Sequence, residues 1–136
     1  MFLQLVYIST MRQPISPAEC EAILAASRRN NPRRGITGLL VVGGNRFLQL
    51  LEGAEAAVEA CLDTIRHDPR HFALVVLDKR FVAERQCPDW AMGFRDGGCA
   101  GDGALEEVVE RLVAPIDEPY LKAQFTGFAK LQDRAA

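Results

Sequence analysis

The stretch from Ile36 to Gly53 constrains this chain more than any other. Ile36–Val42 is apolar apart from Thr37 and Gly38, Gly43-Gly44-Asn45 reads as a turn, and Arg46–Leu51 reads as the return arm of a hairpin broken at Glu52-Gly53. The near-continuous apolar run of the first arm suits a strand covered on both faces. Side chains alternate along a strand, so Phe47, Gln49 and Leu51 share one face of the second arm. Gln49 is then an amide between two large apolar neighbours, and a buried amide without partners costs about 1–3 kcal/mol. Three readings are open: the protein satisfies Gln49, Gln49 faces something polar held inside, or the strand is an edge and Gln49 stands in water.

The rest of the chain supplies partners for this hairpin. Phe2–Ser9 predicts a strand with Leu3, Leu5 and Tyr7 on one face and Gln4, Val6 and Ile8 on the other. Ser16-Pro17-Ala18-Glu19 carries a helix start with a capping box, and Cys20, Ile23, Leu24 and Ser27 recur on one helical face. Asn31 extends that face, as a C-cap or as a ligand contact, and Pro32 is expected to end the helix. Glu55–Arg66, with Val58, Cys61, Leu62 and Ile65 at helical spacing, predicts a second helix stopped by Asp68-Pro69. Phe72–Asp78 and Trp90–Phe94 predict further strands. This order indicates an α+β ferredoxin-like sandwich, βαββαβ plus a fifth strand, with two helices against one sheet face. A Gly-rich boundary, Asp96–Gly103, separates a domain over residues 1–96 from a hinge and helical region over 97–136. There Leu105, Val108, Val109 and Leu112 form one apolar face, and Leu121, Phe125 and Phe128 form another behind a cap at Asp117. These two helices are expected to cover the opposite sheet face, where Val6, Ile8, Leu48 and Leu50 would otherwise stand bare.

Several function classes are disfavoured. A net charge of −2 leaves no footprint for nucleic acid, and no apolar run reaches the roughly 18 residues of a membrane span. Cys20, Cys61, Cys87 and Cys99 are scattered without a C-x-x-C pair, which suits buried thiols in a reducing cytoplasm and no metal site. A small hydrolase built on Cys61 with His67 or His71 is the enzymatic alternative, but no nucleophile, base and orienting group are grouped in the sequence. By position alone His71 reads as a surface residue at a helix end. What remains is a polar set pointing between sheet and helices: Tyr7, Asn30, Asn31 and Gln49. Amides carry both donor and acceptor ends, so such a set can hold the rim of a flat heterocycle bearing carbonyls and an N–H.

The chain resembles the BLUF domain, a blue-light sensor using flavin. The residues carrying the resemblance are Leu5-Val6-Tyr7-Ile8-Ser9, Asn30-Asn31, Ile36-Thr37-Gly38-Leu39-Leu40, Phe47 to Gly53, Asp68-Pro69-Arg70-His71-Phe72 and Trp90-Ala91-Met92, across roughly residues 3–95. The resemblance implies that Asn31, helped by Asn30, anchors the isoalloxazine rim, and that Gln49 bridges Tyr7 and the ring edge. Under light Tyr7 would give up an electron and then a proton, and the Gln49 amide would rotate or tautomerise. Ser27, Trp90 and Met92 would sense that change, while Thr64, Arg70 and His71 would lie near the ribityl chain, polar tail or ring edge. Thr64 stands where members often carry a basic or imidazole side chain, so FAD is expected with FMN as the alternative. The resemblance further implies a non-enzymatic photoreceptor that signals to a separate partner through the C-terminal helices and forms homo-oligomers. The rival reading is a light-insensitive ferredoxin-like module for ligand binding or assembly.

Overall fold

A computed structural model of the chain describes residues 1–13, 16–87, 90–94 and 105–135. The elements are β1 (Phe2–Met11), α1 (Pro17–Arg33), β2 (Thr37–Gly43), β3 (Arg46–Gly53), α2 (Glu55–Arg66), β4 (His71–Val82), β5 (Trp90–Phe94), α3 (Leu105–Leu112) and α4 (Pro119–Ala135). They build one five-stranded sheet of order β4-β1-β3-β2-β5, the ferredoxin-like arrangement with a fifth strand laid parallel to β2. The other neighbouring strands pair antiparallel. The expected Gly97–Gly103 hinge lies outside the described residues.

Alternation along β1 divides the core as its sequence indicates. Leu3, Leu5 and Tyr7 join Leu51, Val58, Cys61 and Leu62 on the α2 side. Val6 joins Leu39, Val41, Leu48 and Leu50 under Leu105, Val109, Leu121, Phe125 and Phe128 of the C-terminal helices, with Ile8 at the margin. The hairpin closes through Gly44-Asn45, and Gly44 takes φ +59, a backbone region that glycine enters without steric cost. Ser16 and Glu19 form the anticipated capping box, each bond 3.2 Å long.

Four boundaries differ from the sequence reading. Pro32 does not end α1 but sits in its last turn; the chain leaves the helix at Arg34 and Gly35, the latter at φ +67. Glu52-Gly53 does not break β3, because Glu52 pairs in register with Gln4 and Thr37 and is fully buried. β4 runs on to Val82, an edge strand whose Lys79 and Arg80 look loop-like in sequence yet continue the ladder with β1. Two register shifts and Ala73 at φ +53 interrupt its pairing, a common feature of sheet edges. At α4 the cap is Glu118, not Asp117: Glu118 Oε2 accepts from the Leu121 N–H at 2.6 Å and its carbonyl accepts from the Lys122 N–H at 3.1 Å.

Candidate functional site

Several of the described residues of α1 face a cavity. Among the described residues α1 adds nothing to either apolar core, and Ile23, Ala26, Ser27, Asn30 and Asn31 line that cavity, of about 200 Å³. The sheet closes it with Tyr7, Leu40, Phe47, Gln49 and His71, and α2 and its following turn with Cys61, Thr64, Ile65, Asp68 and Arg70. Ile23, Leu40, Phe47 and Ile65 supply apolar wall while Tyr7, Asn30, Asn31 and Gln49 supply polar points, the composition of a small-molecule site.

Strand register brings the phenol and the amide together. Tyr7 on β1 stands opposite Gln49 on β3, and Gln49 stands opposite Leu40 on β2. The Tyr7 hydroxyl donates to Gln49 Oε1. Gln49 is thus buried and bonded by protein, with its two N–H bonds left as donors. Burial pushes the Tyr7 phenol well above its ordinary range, with the charges of Cys61 and Asp68 adding to the effect, so the hydroxyl keeps its proton. Asn31 is not the C-cap of α1, which is Arg34. The Asn31 backbone carbonyl accepts from Arg34 and Ile36, and its buried side chain lines the cavity.

The remaining candidates differ in their settings. Thr64 is exposed, and its hydroxyl donates to the Ala60 carbonyl at 3.2 Å. The Arg70 guanidinium is held by Asp68 at 3.0 Å, and the same bond holds the Asp68 carboxyl below the usual carboxylate range. His71 is not a surface residue at a helix end but the buried first residue of β4. Its Nε2 lies 2.6 Å from the Ile65 carbonyl and so carries the proton, leaving Nδ1 as a buried acceptor without a partner. Met92 occupies the register position beside Leu40, in the row of Gln49 and Tyr7, and Trp90 that beside Gly38; the side chains of both lie outside what the structure describes.

Arg34, Asp68 and Phe47 line the cavity without having been assigned to it from the sequence, and Glu52 reads there only as a strand breaker. One signal for Glu52 was legible: three residues back from Tyr7 and three forward from Gln49, the same register sets Gln4 opposite Glu52. The hydrolase alternative finds no support in the geometry. Burial, only partly opposed by Arg34, raises the Cys61 thiol and so disfavours the thiolate that such chemistry needs.

Buried acids, Cys87 and Tyr7 among them, give the fold a pH signature. Burial and then the nearby Glu52 push Cys87 from 9.0 up to about 12, and Tyr7 is raised above its ordinary value of 10.0. Both groups are neutral when protonated, so their stabilisation is complete below the unfolded values and is lost as pH climbs through the folded ones. The thermal midpoint is therefore expected to fall from about pH 9 upward, more steeply in the native chain than in Tyr7→Phe. Melts at several alkaline pH values check this, and parallel curves for the two proteins would contradict it.

An isoalloxazine fits the cavity on these grounds: the side-chain amides of Asn30, Asn31 and Gln49 and the Tyr7 phenol stand among apolar walls. No helix among the described residues is long and apolar enough to cross a membrane, and no group of three or more His, Cys, Asp or Glu among them could hold a metal. Comparison with known proteins points the same way. The photoactivated adenylate cyclase subunit beta of Euglena longa is 35% identical over 89 residues, 65% of this chain but 10% of that protein. The blue light- and temperature-regulated antirepressor BluF of Escherichia coli (strain K12) is 35% identical over 77 residues, 57% of this chain and 19% of that one. The chain thus spans only a small part of these curated relatives. The dark-state structure of BlrB, a BLUF protein, superposes with a TM-score of 0.71 at 26% identity, covering 99% of this chain and 97% of that one. Klebsiella pneumoniae BlrP1, in a manganese and cyclic diGMP complex, gives 0.76 at 31% identity over 96% of this chain and 33% of its own. The BLUF family model, described as sensors of blue-light using FAD, matches residues 2–93. With the paired phenol and amide at the cavity and these matches in agreement, the chain belongs to the BLUF family of blue-light sensors.

Proposed function

We propose that this chain senses blue light through Tyr7 and Gln49, acting on a flavin held between α1 and α2. The observation that carries the reading is the Tyr7 hydroxyl donating to Gln49 Oε1 inside the cavity. When bound, the flavin supplies a chromophore that becomes a strong oxidant on absorbing blue light. Tyr7 is a buried neutral phenol, so losing an electron obliges it to release its proton along the existing bond to Gln49. Gln49 can answer by exchanging the donor and acceptor ends it presents. A changed amide orientation is a local hydrogen-bond event, and a bistable element must amplify it. Met92 and Trp90 on β5, with Ser27 on the α1 wall of the cavity, are the proposed sensors of that change. Residues 1–96 would form the sensing unit and residues 97–136 the output surface, joined by the apolar cluster under α3 and α4. Signalling itself is non-enzymatic in this reading and passes to a separate protein, from a homo-oligomer.

Asn31, assisted by Asn30, anchors the ring's rim, while Thr64, Arg70 and His71 flank its polar end. FAD is the proposed form, following the family's description; BlrP1 has also been solved with FMN. Chromatography of the chromophore released from purified protein decides between the two. Asn31→Ala is expected to keep the fold and lose about tenfold or more in flavin affinity, because one buried hydrogen-bonding amide is removed. Unchanged flavin occupancy in that variant, measured by absorbance after dialysis, would displace Asn31 from the site.

A further inference from the structure

The connection from β4 to β5 is fastened at three consecutive residues. Arg85 donates to Thr37 Oγ1 (2.8 Å) and to the carbonyls of Glu52 (2.9 Å) and Gly35 (2.7 Å), with its guanidinium 4.5 Å from the Phe2 ring centroid. The backbone N–H of Gln86 donates to Glu52 Oε2 at 2.9 Å, and that of Cys87 to Glu52 Oε1 at 2.7 Å. Gln4 Nε2 completes the shell of Glu52 at 2.9 Å. The Gln86 side chain then reaches the other way, its Oε1 accepting from the backbone N–H groups of Asp117 (3.1 Å) and Glu118 (3.3 Å) at the start of α4. Those N–H groups precede the first helical turn and have no intrahelical acceptor. One glutamine therefore hangs on a buried carboxyl of β3 and holds the entry to a C-terminal helix.

We propose that Glu52 and Gln86 form a clamp through which displacement of β3 reaches α4, with Gln86 as a positioning residue for the light response. The inference rests on the photosensor reading above. Glu52 is on the same strand as Gln49, and the pairing that holds Tyr7 opposite Gln49 also holds Gln4 opposite Glu52. A new hydrogen-bonding arrangement at Gln49 that shifts β3 against β1 moves the Glu52 carboxyl, and Gln86 carries that movement to Asp117 and Glu118. This path runs through the β4–β5 connection and α4, independently of the β5 side chains. Gln86 is partly buried and outside the flavin cavity, so its replacement leaves the chromophore's surroundings intact.

Amide hydrogen exchange over residues 117–124, in darkness and under blue light, tests this on the full flavin-loaded chain alongside the absorption shift. Native protein is expected to exchange faster there in light. Gln86→Ala should exchange about tenfold faster already in the dark and lose the light-minus-dark difference, while its flavin red shift and recovery stay native. Gln86→Glu keeps the acceptor oxygen and should restore the difference. Persistence of a native difference in Gln86→Ala, its loss in Gln86→Glu, or a native protein that red-shifts without any change at α4 would each overturn the clamp alone. Absence of any red shift in native protein would overturn the photosensor reading and the clamp with it.

Discussion

Tyr7→Phe is expected to give a folded, yellow protein whose absorption no longer shifts under blue light. Phenylalanine preserves the ring that packs with Leu3, Leu5, Leu51 and Val58, so the core on the α2 side should survive. What disappears is the hydroxyl that donates to Gln49 Oε1. The vacated acceptor costs about 1–3 kcal/mol if nothing replaces the bond, tolerable for a domain with about 5–15 kcal/mol in reserve. Function should suffer far more than stability. A phenyl ring has no proton to release and is a much poorer electron donor than a phenol, so the response should vanish instead of weakening. Absorption spectra before and after blue illumination check this, with flavin content measured on the same sample. A Tyr7→Phe protein that red-shifts and recovers as the native chain does would remove Tyr7 from its proposed role.

Gly38→Ala should be the most damaging small substitution for the fold. Gly38 lies in β2 between Leu51 of β3 and Trp90 of β5, at φ +155. A Cβ there would stand 2.0 Å from the Leu50 carbonyl oxygen and 2.9 Å from its carbon. Both are backbone atoms of a paired strand, so no side chain can turn aside to make room. Relief requires β2 and β3 to separate beside the row that holds Leu40 opposite Gln49. Overpacking combined with backbone strain places the expected loss at about 3–5 kcal/mol, enough to lower the melting midpoint by roughly 10 °C or more. Gly35 provides the control. It has φ +67, but a Cβ at that position would meet nothing within 4 Å, so Gly35→Asn should cost about 1 kcal/mol or less. Thermal melts followed by circular dichroism compare the two, and a Gly38→Ala midpoint within a few degrees of native would contradict the steric account.

Much of this architecture is legible in the chain because local and global preferences agree. The alternation in β1, the capping box at Ser16 and the period of α2 each predict an element that forms where expected. The misreadings occur where a local breaker is overruled by its surroundings. Glu52-Gly53 resembles a strand end only until the β4–β5 connection supplies donors for the carboxyl. Charged Lys79 and Arg80 conceal an edge strand because part of β4 faces solvent. The site shows the same division. Tyr7 and Gln49 are readable from alternation, since each faces inward from an apolar strand. His71 is not, because its burial depends on β4 starting directly after the Asp68–Arg70 turn, and Gln86 is not, because its partners are 31 and 32 residues away in sequence.

The central claim is that a buried phenol and the amide it bonds respond together to light absorbed by a flavin between α1 and α2. A light-minus-dark absorption spectrum of the purified chain with bound flavin tests it most directly. The account predicts a small red shift of the flavin bands that appears under blue light and reverts in darkness. Identical lit and dark spectra from a flavin-loaded protein would contradict it.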